Sequence, residues 1–343
     1  MARFPGLRAL AWADEYLYAS RGYQLLRARI CGDISTASLR WDPIARFRPV
    51  WWRNLTSATR LSSRLLRDGF HALAILPSAA IVAAVPGAIV SLSTSETELR
   101  VTHRITRGTR PLHITTVPGG AVFWGEYFDN AARDEVHIYA SMDQGSNWQV
   151  AYTFPKGTVR HVHNIVHDPW GNCLWVLTGD YGEECRILRA SCDFSQVDIA
   201  LKGNQQARAV ALVLGETGIY FSSDTPLEEN HVYHLDRQGR LSKLAALSSS
   251  SIYGCRAGGN IFFSTMVEPS TANRDRNVRI YGSRDGQDWL PLLAWQKDRW
   301  PLALFQYGNA FLPDGNNTTP YLAVTTVAVQ AEDIVLSLYS IHA

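Results

Sequence analysis

Arg160-His-Val-His-Asn-Ile165, followed after a Gly171-Asn172 turn by Cys173-Leu-Trp-Val-Leu177, is a short strand with histidines at its start and a second, wholly apolar strand behind it. The opening segment has counterparts in Gly69-Phe-His-Ala-Leu-Ala, Arg110-Pro-Leu-His-Ile-Thr, Gln206-Ala-Arg-Ala-Val-Ala, Ser251-Ile-Tyr-Gly-Cys and Leu304-Phe-Gln-Tyr-Gly. Ala121-Val-Phe-Trp, Gly218-Ile-Tyr-Phe and Asn260-Ile-Phe-Phe repeat the second strand. The spacing of about 42 to 53 residues is the period of a four-stranded propeller blade. Gly, Pro, Asp and Asn turns separate the strands, and helical periodicity is almost absent. The expected fold is therefore all-β, a single β-propeller of about seven four-stranded blades, with six as the alternative count. The blades fall near 7–44, 67–106, 108–155, 157–202, 206–248, 250–297 and 299–343, and a helical insertion occupies 45–66. Within it, Asn54 to Arg67 reads as one amphipathic helix lying across a face of the ring.

A chain of 343 residues suits one closed ring, and 46% hydrophobic with 19% charged residues is the composition of a folded protein with a large core. A net charge of +2 makes no broad electrostatic claim on nucleic acid. The five cysteines, an odd number without a CxxC pair, read as free thiols. No secretory signal opens the sequence, so the expectation is a cytoplasmic protein. The apolar run Leu73 to Ser91 is broken by Pro77, Pro86 and Gly87 and reads as two buried strands, not a membrane span.

Two turns carry one signature: Ser141-Met-Asp143-Gln-Gly145-Ser-Asn-Trp148 and Ser283-Arg-Asp285-Gly286-Gln-Asp-Trp289, with a degraded copy at Ser191-Cys-Asp193-Phe-Ser. The Asp carboxylate accepts turn N–H groups, Gly takes a positive φ, and Trp packs between sheets. If fully buried, Trp148 or Trp289 cut to Ala costs about 3 to 5 kcal/mol. These turns resemble the Asp-box, or BNR repeat, of the sialidase-like propellers, and the wider pattern resembles an uncharacterised bacterial branch of them. The resemblance implies structural hairpins on the outer side of the blades. It leaves function to other residues, because that superfamily holds hydrolases, lyases and non-catalytic members.

In a propeller the innermost strand begins on the face where the second strand ends, so both positions converge on one funnel. The first give His71, His113, His163 with His161, Arg208, Tyr253 and Gln306; the second give Glu126, Asp180, Asp224 and Glu268, with Tyr127, Tyr181, Asn230 and His231 beside them. A lone histidine there is ordinarily a hydrogen-bonded structural residue and a strand-end carboxylate a turn cap, whereas several in equivalent register point to a site. His103, His137, His167, His234 and His342 lie off the register and read as surface or packing residues. Trp124, Trp175 and Trp300 read as blade core.

The expected activity is carbohydrate-directed. A glycoside hydrolase needs two carboxylates, one protonated, and Asp180 and Glu268 are the candidates. A polysaccharide lyase needs a group that neutralises a uronate and a base, for which Arg208 or Tyr253 stands ready. Glu126, His161, Asp224 and His231 are expected to bind substrate. His71, His113, His163 and Gln306 resemble, by residue type and blade position, the three-His-plus-Gln metal set of the oligogalacturonate-lyase propellers. That resemblance implies one divalent ion, Mn, Zn or Ca. A sialidase would need three arginines around a carboxylate, and only Arg208 lies on the inner register. The competing class is a non-catalytic glycan- or partner-binding propeller. Residues 1–70 hold twelve Arg against five acidic residues, and Arg60, Arg64 and Arg67 near Trp51 and Trp52 could meet an anionic membrane or a partner. Burial of the helix's apolar stripe against the blades would instead mark a cap with a solvated basic face.

Overall fold

The computed structural model describes residues 1–302 and 304–341. His342 and the end of the seventh blade expected at 299–343 thus lie outside the described residues. The strands form seven sheets, antiparallel except for one parallel pair. Blades 2 to 6 are each four consecutive strands: 72–104, 115–154, 162–202, 209–247 and 251–296. In each, the first strand lines the axis and the fourth is outermost. Contacts between the innermost strands link blades 1 to 6 in turn, and the segment Asp314–Asn317 closes the ring against blades 6, 1 and 2.

Blades 1 and 7 close the circle by exchanging strands. Blade 7 combines Asn309–Phe311, Tyr321–Val327 and Val335–Ser340 with Ala2–Pro5 from the other end of the chain, which pairs Ala2 with Leu338 and Pro5 with Val335. Phe4 and Ala2 are buried there, so the outer edge of the last blade is sealed by the start of the chain. Asp314–Asn317 then leaves blade 7 and pairs parallel with Ala11–Asp14, adding a fifth, innermost strand to blade 1. Gly315 makes this possible. Its φ is +91°, and a Cβ there would stand 2.2 Å from the Trp12 carbonyl oxygen.

Each blade buries period-two strands against its neighbours, as Phe123, Val136, Ile138, Val162, Ile165, Leu174 and Val176 do between blades 3 and 4. The run Leu73 to Ser91 proves to hold parts of three strands, Ala72–Ile75, Ile81–Val85 and Ala88–Leu92, because the Pro86-Gly87 turn needs no further residues. Trp124 and Trp175 are core; Trp300 is not, being 44% exposed against Phe305. Among the described residues no helix is long and apolar enough to cross a membrane.

The two Ser-x-Asp turns join the third and fourth strands of blades 3 and 6. Asp143 Oδ1 accepts from Ser141 Oγ and Asn147 N, both at 2.8 Å; Asp285 Oδ1 accepts from Gln287 N at 2.8 Å and Asp288 N at 2.9 Å. Asp193 repeats the arrangement with Ser191 and Ser195 in blade 4. Gly145 and Gly286 have φ of +83° and +75°, and a Cβ at either would run into Val82 or Tyr220 of the preceding blade, so each turn packs closely on its neighbour. Trp148 and Trp289 are only half-buried.

The insertion is helical but divided into α1 (Trp51–Thr56) and α2 (Arg60–Leu66), because Thr59 turns extended and caps α2 through Ser62 N. It docks by charge. Arg64, 2% exposed, donates to Asp298 at 2.7 Å and Asp333 at 3.0 Å, and Asp68 holds Arg53 and Thr56 at 2.6 Å each. The apolar side chains Trp51, Leu55 and Leu65 point outward, the reverse of a buried apolar stripe.

Candidate functional site

The funnel residues gather at the face where the inner strands begin, in two groups. The first is built by blades 3 to 6. His161 and His163 flank the start of the blade 4 inner strand, and the 161–163 alternation turns both rings the same way. Their Nε2 atoms are 3.0 Å apart, while each Nδ1 meets a backbone carbonyl, Phe128 for His161 at 3.0 Å and Ala209 for His163 at 2.9 Å. Asp180, just beyond the second strand, places Oδ2 3.5 Å from His161 Nε2 and Oδ1 3.4 Å from His163 Nε2. The Tyr127 ring covers His161 at 4.3 Å. Arg208 bridges the next two carboxylates, 3.3 Å from Asp180 and 3.5 Å from Asp224. Glu268 accepts from Ser250 Oγ at 2.9 Å on the far side.

These surroundings push two carboxyls apart. Burial raises the Asp224 carboxyl, and the charges of Glu268 and Asp180 add to it; Arg208 offsets only part, leaving a pKa of about 6. Asp224 Oδ1 has no hydrogen-bond partner. Burial also acts on Asp180, but the polar interactions with His161 and His163 outweigh it and hold that carboxyl well below the usual carboxylate range.

The second group lies across the channel. Arg8, His71, His113, Tyr253, Phe311 and Asp314 line one pocket. His113 Nδ1 is 2.9 Å from Asp314 Oδ2, His71 Nε2 donates to the Arg67 carbonyl at 2.8 Å, and the Arg8 guanidinium lies 4.1 Å over the Phe311 ring with its Nε unpartnered. Burial lowers the His71 imidazolium well below its ordinary value, and Arg110 and Arg8 lower it further. Burial, then Arg67 and Arg8, bring Arg110 down to about 10. Among the described residues none of Arg8, Arg67 and Arg110 forms an ion pair. Arg8 and His71 also open onto a cavity of about 510 Å³ under α1 and α2, where Gln306 lies.

The expected residues are thus partly assembled. Asp180, Arg208, Asp224, His161 and His163 meet in one group, with Glu268 acting on it by charge. The expected metal set is split, since His71, His113 and His163 do not lie within ligating distance of one another; the group that does, among the described residues, is His161, His163 and Asp180. Glu126 is an anchor, gripped by Arg107 and by the His137 N–H at 2.8 Å, and the His231 ring is bound to the Glu229 carbonyl at 3.0 Å. Burial lowers Arg208, but Asp224, Asp180 and Glu268 outweigh it and raise it, and burial pushes the Tyr253 phenol up to about 12. His103 and His234 pack on Trp124 and Tyr220, and His137 binds Thr153.

Arg8 went unread in the sequence although a signal exists. Gly6-Leu-Arg8-Ala-Leu-Ala matches Gly69-Phe-His71-Ala-Leu-Ala position for position, which puts Arg8 on the inner register. Arg67 and Arg110 flank inner strands and had no periodic signal.

No family model matches the chain, and no curated protein does. Solved structures match at the level of fold. A chain of the nidogen/laminin complex superposes with a TM-score of 0.52 at 12% identity, covering 89% of this chain and 98% of that one. The designed protein Ika8 gives 0.54 at 10% identity, covering 98% and 96%. Sqt1 from Chaetomium thermophilum gives 0.55 at 11% identity, covering 98% and 83%. At such identities the likeness concerns architecture alone: this chain shares the fold of the seven-bladed β-propellers.

Proposed function

We propose that this chain is a carbohydrate-active enzyme that cleaves an acidic oligosaccharide or polysaccharide at the mouth of its channel, as a branch of the sialidase-like propellers. The observation that carries the proposal is Asp224, a buried carboxyl with a pKa of about 6, beside the second carboxylate Glu268 and bridged to Asp180 by Arg208. A carboxyl whose pKa is raised toward neutrality, beside a second carboxyl group, is the pairing that glycoside hydrolysis needs. Asp224 donates a proton to the departing glycosidic oxygen. Glu268 attacks the anomeric carbon or takes the proton of an attacking water, and Asp180 with Arg208 keeps the field fixed as charge develops. Arg8, Arg67 and Arg110, which form no ion pair among the described residues, receive the acid group of the sugar.

Elimination is the second reading, and the second group favours it. Arg8 and Arg110 would neutralise a uronate, the neutral His71 ring would take the neighbouring proton at Nδ1, and the Tyr253 phenol would return one to the leaving oxygen. Incubation with neutral, uronate-containing and sialylated glycans separates the readings. New reducing ends without ultraviolet absorbance mark hydrolysis, and they should vanish in Asp224→Asn and Glu268→Gln. Absorbance of an unsaturated uronate that vanishes in His71→Ala marks elimination. Binding without either product would replace both by a non-catalytic glycan-binding propeller. Loss of neither activity in its variants would remove these residues from catalysis. The partner-binding alternative draws on the outward-facing Trp51, Leu55 and Leu65.

A further inference from the structure

We infer that His161, His163 and Asp180 form a binding site for one divalent transition-metal ion of the Zn²⁺ or Co²⁺ type, facing the channel beside Arg208. Hydrogen-bond logic comes first. A backbone carbonyl can only accept, so the contacts from Phe128 O to His161 Nδ1 and from Ala209 O to His163 Nδ1 place a proton on both Nδ1 atoms. Both Nε2 atoms then carry lone pairs in the neutral rings, and those lone pairs face each other across 3.0 Å. Such an approach is repulsive unless a cation lies between.

That cation is either a proton or a metal ion, and Asp180 distinguishes them. A proton shared by the rings would be used up between the two Nε2 atoms, and with both Nδ1–H groups spent on carbonyls no ring N–H would remain for the carboxylate, whereas a metal ion would take it as a third ligand. Asp180 faces both nitrogens, with Oδ1 3.4 Å from His163 Nε2 and Oδ2 3.5 Å from His161 Nε2. With the 3.0 Å between the nitrogens, these separations are close to those of a tetrahedral site, where bonds of ~2.0–2.1 Å hold ligand atoms about 3.3–3.4 Å apart. Two imidazoles and a carboxylate suit Zn²⁺ and its neighbours, and a fourth position stays open toward the channel. The Nδ1–H to carbonyl bonds are the outer-shell contacts that orient histidine ligands. Arg208 steadies the carboxylate from outside the polyhedron at 3.3 Å. His163 and Asp180 begin and follow two paired strands whose antiparallel register brings Val162 opposite Thr178, so the trio exists only because blade 4 folds.

The inference is independent of the glycan reading, and its test reads metal, not turnover. The purified full-length protein is stripped with a chelator, dialysed, and titrated with Co²⁺ and then Zn²⁺, following the visible Co²⁺ spectrum and binding heat. The expected result is one equivalent bound, a low-symmetry Co²⁺ absorption displaced by Zn²⁺, and a thermal midpoint that rises with added ion. His161→Ala and His163→Ala should each weaken binding on the order of 100-fold or more, at least the loss seen for outer-shell partners. His161→Cys should retain Zn²⁺, and His234→Ala, on blade 5, should bind as the parent does. Should a histidine variant fail to fold, Asp180→Asn and the His161→Cys rescue still decide the matter. Binding no tighter than in a His161→Ala/His163→Ala double variant, or Co²⁺ spectra unchanged by all the ligand variants, would overturn the inference.

Discussion

Replacing Asp224 by Asn should make the protein more stable at neutral pH, although it removes a partner of Arg208. The folded-state pKa of about 6 lies roughly 2 above the usual value near 3.9. At ~1.4 kcal/mol per pH unit the ionised carboxylate at pH 8 therefore costs about 3 kcal/mol relative to its protonated form. The sign follows from proton counting. Between pH 4 and pH 6 the folded state holds a proton that the unfolded chain has released, so stability falls as pH rises through that window and levels off above it. Asn has the shape and charge of the protonated acid and does not titrate. Urea unfolding at pH 4, 5, 6, 7 and 8 should show the two proteins nearly equal at pH 4 and the variant ahead by up to ~3 kcal/mol at pH 8. A gap that stays constant over this range, or widens toward acid, would show that burial does not govern Asp224 and would remove it as the proton donor.

Gly315→Ala should cost at least about 2 kcal/mol in urea unfolding, because the added Cβ meets the Trp12 carbonyl at 2.2 Å and the backbone φ of +91° is strained for alanine; an unchanged midpoint would contradict the parallel pairing of blades 7 and 1. Trp148→Ala should lower stability by roughly 2–3 kcal/mol in thermal melts, less than the ~3–5 of a fully buried aromatic, since the ring is half-buried against Trp124 and keeps one hydrogen bond to Thr102 at 3.1 Å. A loss above that range would mean that the ring seals the blade interface.

The blades were legible because each is a local object. Its strands are consecutive, its turns carry Gly, Pro and Asp, and its inner positions recur at a fixed register. The hairpins around Asp143 and Asp285 were legible for the same reason, since both carboxylates accept from N–H groups of their own turns. Non-local pairing was less so: nothing in Ala2-Arg-Phe-Pro5 announces that it ends blade 7, and Asp314–Asn317 looks like a turn until Trp12 stands beside it. The insertion was read as helical, but its orientation depended on Asp298 and Asp333, carboxylates more than two hundred residues away that bury Arg64 and leave the apolar side chains outside.

The same division runs through the site. Sequence alone determined which residue types reach the channel mouth, because strand alternation is strictly periodic and a one-residue slip would turn His163 and Arg208 into the blade interface. Which of them meet was decided by the ring's closure in three dimensions. His71 and His113 share blade position with His163 yet face Arg8 and Asp314 across the channel, while His161, outside the expected ligand set, stands 3.0 Å from His163. Protonation followed from packing as well: Asp180 and Asp224 occupy equivalent strand ends, and only burial, Arg208 and the paired imidazoles give one carboxyl a pKa near 6 and keep the other ionised. Periodicity is a property of the chain, whereas distance and dielectric belong to the folded ring.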